Sequence, residues 1–371
     1  MASILINGIS ARSGGGKSIL VNFIKLLHQS TRREQYVVIV PGDSDYSQYA
    51  KENIEIIPTH NSSYNLYTFY FKSIRQLVKE KAVSLILNIA DVVAPVHVNQ
   101  VYLFDWPYAT YPESVVWKRM SAKEWLFKKF KLFLIRRYIK LPVLILAQTK
   151  VSAIRLRKAF SVTNTEVVPN AVSLDHFTGG QPKDFALPKD RFKLLYLTKY
   201  YSHKNIEIFI PVAKLIREHK LPYCIITTIH ESQHINAKKF LRKIATERLH
   251  DIIINVGPVD MGNVPSLYQQ TDALLMPTLL ESFSGTYVEA TYHGKPIFTS
   301  EIDFARDICG DAAFYFDPLD ENSILSTIKS VHENDKVLLD KIELGHKRLS
   351  GFPTWQDVFE KLVGIIEKHN T

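Results

Sequence analysis

The chain has 371 residues, a formal charge of +9, 46% hydrophobic and 22% charged residues. That length favours two or three domains, and that composition excludes both wholesale disorder and a single small module. The charge asks for an anionic partner without naming its class.

The predicted elements alternate from the start. Ser3–Asn7, Tyr36–Val40, Ile54–Ile57, Ser84–Ile89, Gln100–Phe104 and Val143–Ala147 read as buried strands. Helix-length segments such as Ser18–Gln29 and Tyr67–Lys79 separate them. Buried strands alternating with helices predict βαβ units and a parallel sheet. The second half repeats the pattern, with strands over Phe192–Thr198, Tyr223–Thr228, Ile252–Gly257, Ala273–Pro277, Pro296–Thr299 and Ala312–Phe316. Helices are expected at Asn205–His219, Ile235–Arg248 and Gly285–His293. The Gly/Pro-rich stretch Thr178–Pro188 between the two series reads as a linker. The expectation is an α/β protein of two Rossmann-like, doubly wound domains facing a cleft, residues 1–180 and 188–353. Val358, Leu362, Ile365 and Ile366 have helical spacing, which predicts a last helix in 354–371.

Two cysteines, Cys224 and Cys309, have apolar neighbours and read as core residues; they exclude a disulfide framework and a Cys-based zinc site. No run approaches the ~20 apolar residues of a membrane-spanning helix. The start lacks the basic region of a signal peptide, so a cytoplasmic protein is expected.

Two segments carry phosphate chemistry. Ala11–Ser18, ARSGGGKS, ends like a Walker A loop and lies between a strand and a helix, with Ala11 where the first glycine usually stands. Glycines let backbone N–H groups approach phosphate, and a helix N-terminus favours anions. Asp91 could serve as the matching metal-binding carboxylate, which gives a P-loop NTPase or kinase as the alternative reading. Glu281–Glu289, ESFSGTYVE, places two carboxylates eight residues apart across a strand–loop–helix junction. A carboxylate beside a diphosphate site suits a neutral polyol, whose hydroxyls donate to it. Read structurally, Glu289 is a first-turn helix residue favoured by the helix dipole.

The Glu-x7-Glu element resembles the signature of the family 4 glycosyltransferases, retaining enzymes of the GT-B fold within the "glycosyl transferases group 1" type. Thr271–Thr278, Val167–Val172 with Phe177, Leu195–Asn205, Val256–Gly257, Phe352–Trp355 and the glycines Gly14–Gly16 resemble further family segments in the same order. The resemblance implies sugar transfer from a UDP- or GDP-linked donor to a glycan or lipid-diphosphate-linked acceptor, in cell-surface polysaccharide or glycoconjugate synthesis, with no metal. It implies that residues 1–180 take the acceptor and 188–353 the nucleotide-sugar, that the helix in 354–371 packs back on the first domain, and that Glu289 binds ribose hydroxyls and Glu281 the transferred sugar. Backbone N–H groups of Phe283, Ser284, Gly285 and Thr286 would hold sugar and phosphate, with Gly257 beside the base and Gly15 and Gly16 in the N-terminal loop. Lys199 and Lys204 would fall on the diphosphate. Lys199 stands where the family uses Arg, which loses the bidentate fork. Phe104 stands where the family often has a histidine, so no catalytic histidine is assigned.

Trp117–Lys140 holds nine basic residues and one acidic, Glu124, so one segment accounts for nearly the whole net charge. Lys129, Arg136 and Lys140 form one helical stripe, and Phe127, Phe130, Leu134 and Tyr138 another. Such a helix would suit anionic lipid at the inner face of the cell membrane, or would bury its apolar side on the sheet. The aromatic run Tyr102–Pro112 would stack on an acceptor sugar or line the core. The signs of a nucleic-acid binder are not found, so no nucleic-acid partner is expected.

Overall fold

The computed structural model describes residues 2–12, 14–59, 68–172 and 183–370. They divide into two units: 1–112, 121–171 and 353–371 form the first, and 113–120 with 172–352 the second.

In the first unit a short, fully buried strand, β1 (Ser3–Asn7), is followed by α1 (Gly14–Gln29). Ile19, Leu20, Phe23, Ile24 and Leu27 recur on one face of α1, and that face is buried. β2 (Gln35–Pro41) and β3 (Ile54–Thr59) follow, then α2 (Ile74–Glu80), β4 (Val83–Asn88) and β5 (Asn99–Phe104). After α3 (Ala122–Tyr138) come β6 (Leu144–Ala147), α4 (Lys150–Phe160) and β7 (Thr165–Val167). All pairings in this seven-stranded sheet are parallel, in the order β3-β2-β1-β4-β5-β6-β7. The order reverses between β1 and β4. In parallel α/β sheets such a reversal is the usual place for ligands to bind, at the strand carboxyl ends.

The second unit has a six-stranded sheet of the same kind. Its elements are β8 (Phe192–Tyr196), α5 (Phe209–Glu218), β9 (Tyr223–Thr227), α6 (Ile235–Thr246), β10 (Ile253–Asn255), α7 (Val264–Gln269) and β11 (Ala273–Met276). Then follow α8 (Gly285–Tyr292), β12 (Ile297–Ser300), α9 (Asp303–Cys309), β13 (Ala313–Phe316), α10 (Glu321–Lys329) and α11 (Asp335–Leu349). The order is β10-β9-β8-β11-β12-β13, again parallel throughout, so the reversal lies between β8 and β11.

The last helix, α12 (Trp355–His369), belongs to the first unit. A Thr354–Asp357 capping box starts it. Val358, Phe359, Leu362, Val363, Ile365 and Ile366 lie in the core of that unit with the α1 residues, and the Phe23 and Phe359 rings are 5.3 Å apart.

The strands expected from hydrophobic runs are present, as are two parallel sheets with flanking helices. β7 was not foreseen: Thr165–Val167 is three half-buried residues at a sheet edge, too short and too polar for a periodicity signal. Tyr67 and Phe177 lie outside the described residues, as do 178–182 of the expected linker. Its remaining part is tied to the second unit, with Lys183 N donating to Ser266 Oγ and Phe185 N to Gln270 Oε1. Cys224 and Cys309 are buried; burial pushes the Cys224 thiol up to about 11 and raises that of Cys309 further.

Candidate active site

The strand order of the second unit sets the loop after β8 beside the loop after β11. The first carries Lys199 and Lys204, the second Glu281. Three hydrogen bonds link the two loops, at Leu279, Thr278 and Asn205, and further ones brace them. Leu279 N donates to His203 O at 2.8 Å, and the Thr278 hydroxyl lies 3.2 Å from both His203 O and Glu281 Oε1. The Tyr196 hydroxyl donates to Lys204 O at 2.7 Å. Asn205 Nδ2 donates to Pro277 O at 3.1 Å and to Pro318 O at 2.7 Å.

Asn205 closes the turn that presents Lys204. Its φ is +56°, in the left-handed region where Asn is among the tolerated residues, and it is buried. Its Oδ1 accepts from Arg119, which belongs to the same unit. Lys204 Nζ then donates to Glu281 Oε1, in a pair whose side chains are only 13% and 10% exposed. An ammonium carries three donors, of which Glu281 takes one.

Lys199 stands differently. Its neighbours are anchored, Thr198 N to Thr228 Oγ1 at 3.0 Å and Tyr200 N to Gln233 Oε1 at 2.8 Å. Its own side chain is exposed and, among the described residues, makes no ion pair. The structure therefore joins Lys204 to Glu281 and leaves Lys199 outside that pair.

The chain runs from Glu281 through Ser282 and Phe283 to Ser284, the residue before α8. Ser284 does not cap the helix with its side chain; its hydroxyl points to Met276 Sδ, 4.0 Å away. The first-turn N–H groups of α8, including those of Gly285 and Thr286, thus have no side-chain cap. A positive dipole end faces the loop that bears Glu281.

Glu289 lies one turn into α8, half-buried. The Tyr268 hydroxyl approaches Glu289 Oε2 and Thr286 O, each at 3.4 Å. The His293 ring stacks on Tyr268 with centroids 4.7 Å apart. Removal from water pushes the Glu289 carboxyl up to about 7, and the Tyr268 hydroxyl opposes this only weakly. Gly285 leaves room beside it: a Cβ there would meet Val172 at 3.4 Å and Glu289 Oε1 at 3.9 Å. Gly257 follows β10 with φ of +74°, and the space a side chain would fill is open.

Gly15 and Gly16 lie at the start of α1 in the first unit. A Cβ on Gly15 would come 3.5 Å from Asp105 Oδ2, so a carboxylate already stands at these glycines. Lys17 is exposed. Asp91 is held by Lys131 at 2.5 Å. Neither arrangement favours a triphosphate cradle. Among the described residues no group of three or more His, Cys, Asp or Glu side chains is placed to hold a metal ion, and no helix is long and apolar enough to cross a membrane.

The aromatic run Tyr102–Pro112 is packed inside the first unit. Tyr102, Phe104, Trp106, Tyr108 and Tyr111 are all buried. Lys128 lies over Tyr108 at 3.7 Å, Lys131 over Trp106 at 4.6 Å and Arg155 over Tyr111 at 3.7 Å. These rings are cation platforms for neighbouring elements rather than an open sugar shelf.

Residues 180–348 match the family model of the glycosyl transferases group 1. The Lys199, Lys204, Glu281 and Glu289 positions all fall inside that match. The chain is 26% identical over 133 residues to the O-antigen chain mannosyltransferase RfbU of Salmonella typhimurium, which is 36% of each chain. The curated relatives it matches are covered over 40% or less of their own length. Among solved structures, sucrose-phosphate synthase from Thermosynechococcus elongatus superposes with a TM-score of 0.78 at 12% identity over 99% of both chains. Anabaena HepE in complex with UDP-glucose superposes with a TM-score of 0.73 at 15% identity, over 99% of this chain and 100% of that one. The fold is that of these glycosyltransferases.

The sequence carries no strong signal for Thr278 or Tyr268. Thr278 and Tyr268 are ordinary core residues in sequence; Thr278 meets His203 O across the β8–β11 reversal, and Tyr268 meets Glu289 from α7, the helix before β11. Asn205 did carry a signal, since Asn ahead of an apolar helix is a residue suited to the left-handed turn.

Proposed function

We propose that this protein is a retaining glycosyltransferase that moves a sugar from a UDP- or GDP-linked donor to the hydroxyl of a glycan or lipid-diphosphate-linked acceptor, in cell-surface polysaccharide or glycoconjugate synthesis. The observation that carries the reading is the Lys204–Glu281 pair at the β8–β11 reversal, next to the uncapped start of α8, inside the region that matches a glycosyltransferase model. RfbU, by its name a mannosyltransferase of O-antigen chains, supports the acceptor class. HepE, solved with UDP-glucose, supports the donor class.

In this reading the ribose hydroxyls of the donor donate to the Glu289 carboxylate, and the base lies along the open side of Gly257. The diphosphate meets the first N–H groups of α8, at Gly285 and Thr286, together with Lys204 and the exposed Lys199. Phe283 and Ser284 supply backbone N–H groups to the sugar, and Glu281 accepts from its hydroxyls. As the glycosidic bond breaks, charge accumulates on the departing diphosphate. A fixed cation and a helix N-terminus aimed at that charge stabilise the transition state more than the ground state. The departing phosphate oxygen takes the acceptor proton, since no side chain of the second unit's loops stands out as a base.

A thermal-shift panel of UDP, GDP, ATP and their sugar conjugates tests the assignment. Stabilisation by a nucleoside diphosphate or its sugar, lost in Glu289→Ala, supports it. Stabilisation by ATP alone, lost in Lys17→Ala, would return the P-loop alternative.

A further inference from the structure

The basic segment is not one helix from Trp117. Val115–Lys118 is a short 3₁₀ turn, and α3 begins at Ala122 after Ser121, whose hydroxyl accepts from Glu124 N. Its inner face buries Leu132, Ile135 and Ile139. The inner lysines are engaged there too, Lys128 with Tyr108 and Glu124, and Lys131 with Trp106 and Asp91.

The outer face is also apolar. Leu126, Phe130 and Phe133 are 66%, 53% and 60% exposed, and their spacing of four and three places them in one stripe on the side away from Leu132, Ile135 and Ile139. Trp125 and Phe127 flank the stripe and are exposed as well. The expected stripe through Phe127, Phe130, Leu134 and Tyr138 is split by the structure: its first two members face solvent and its last two are half-buried. Lys123, Lys129, Arg136, Arg137 and Lys140 are exposed on the same outer half, while the sole acidic residue of the helix, Glu124, turns to Lys128.

We propose that this face docks on an anionic lipid bilayer. Leu126, Phe130 and Phe133 enter the headgroup–acyl boundary, Trp125 sits at headgroup level, and the five outer basic residues meet acidic headgroups. Charge complementarity selects this occupant. A second copy of the chain would set one cationic face against another, and the face offers no carboxylate to relieve the repulsion. The helix spans about 25 Å, enough to lie along a membrane surface. Insertion of a helix apolar on two opposite sides explains why both sides are apolar: one serves the core, the other the lipid. The proposal rests on the first unit alone and is independent of the transferase reading.

Sedimentation of the full chain with sucrose-loaded vesicles tests it. The expected result is binding to phosphatidylcholine vesicles containing about a third phosphatidylglycerol, and at least tenfold weaker binding to phosphatidylcholine alone. Lys129→Glu/Arg136→Glu/Lys140→Glu is expected to bind the anionic vesicles roughly 100-fold more weakly, from about a factor of five per basic residue. Leu126→Ser/Phe130→Ser/Phe133→Ser, all solvent-facing, is expected to lose at least tenfold while its melting temperature stays that of the wild type. Emission of Trp125 supplies a second readout: a blue shift on adding anionic vesicles that disappears in Trp125→Phe. No binding to anionic vesicles at low salt would overturn the proposal. So would unchanged binding of both triple variants, or a self-associated species abolished by these substitutions in a protein that ignores vesicles.

Discussion

Glu289 makes a prediction in which stability and function move in opposite directions. Its carboxyl is pushed from an ordinary 4.5 up to about 7 by burial beside Tyr268. The folded chain therefore holds a proton that the unfolded chain has released between those two values, and stability falls as pH rises through that window. A shift of roughly 2.5 units corresponds to about 3 kcal/mol at and above pH 8, and to nothing below pH 4, where both states are protonated. Glu289→Gln keeps the shape and removes the titration. It should raise the stability of the second unit at pH 8 by up to about 3 kcal/mol and leave it unchanged near pH 4. Donor affinity should go the other way. A carboxylate accepts from two ribose hydroxyls, whereas the amide offers one acceptor and two donors. For the wild type, donor affinity should rise about tenfold from pH 6 to pH 8 as the carboxyl ionises, and in Glu289→Gln it should stay flat. Denaturant titrations and calorimetry at both pH values measure the two effects. Equal stability of the two proteins at pH 8 would refute the desolvation argument. A pH-independent donor affinity in the wild type would refute the ribose contact.

Lys204→Ala should lower turnover by more than tenfold, because a charge-assisted contact to the leaving diphosphate is worth about 1.5–3 kcal/mol; steady-state kinetics with saturating acceptor would show it. Asn205→Gly tolerates the φ of +56° but leaves Pro277 O and Pro318 O without their donor, so the second unit should lose about 1–3 kcal/mol in a denaturant melt. Lys17→Ala should leave donor binding within twofold of wild type, since Lys17 is exposed and Asp105 already stands at the glycines.

The sheets were legible because a parallel strand buried on both faces must be apolar throughout, and Ile4–Ile6, Leu85–Leu87 and Leu274–Met276 are such runs. The two carboxylates were legible because the loop–helix junction fixes them locally: Glu281 before α8 and Glu289 one turn inside it. The partners of those carboxylates were not. Tyr268 reaches Glu289 from the helix before β11, and Thr278 and the carboxamide of Asn205 bind across the β8–β11 gap that only the strand order closes. The orientation of α3 was hidden for another reason. Its apolar residues lie on two opposite sides, so periodicity alone did not say that Leu132 and Ile135 face the sheet while Leu126 and Phe133 face water. The aromatic run Tyr102–Pro112 misled by composition, since rings that pair with Lys128, Lys131 and Arg155 look the same in sequence as rings that wait for a sugar.

The central claim is that the loop after β11 and the start of α8, with Lys204, receive a nucleotide diphosphate-sugar. Calorimetric titration of UDP- and GDP-sugars into the wild type and Lys204→Ala tests it most directly. The wild type should bind one donor per chain, and the variant should bind it at least tenfold more weakly. Binding of neither nucleotide-sugar, or equal affinity in the two proteins, would contradict it.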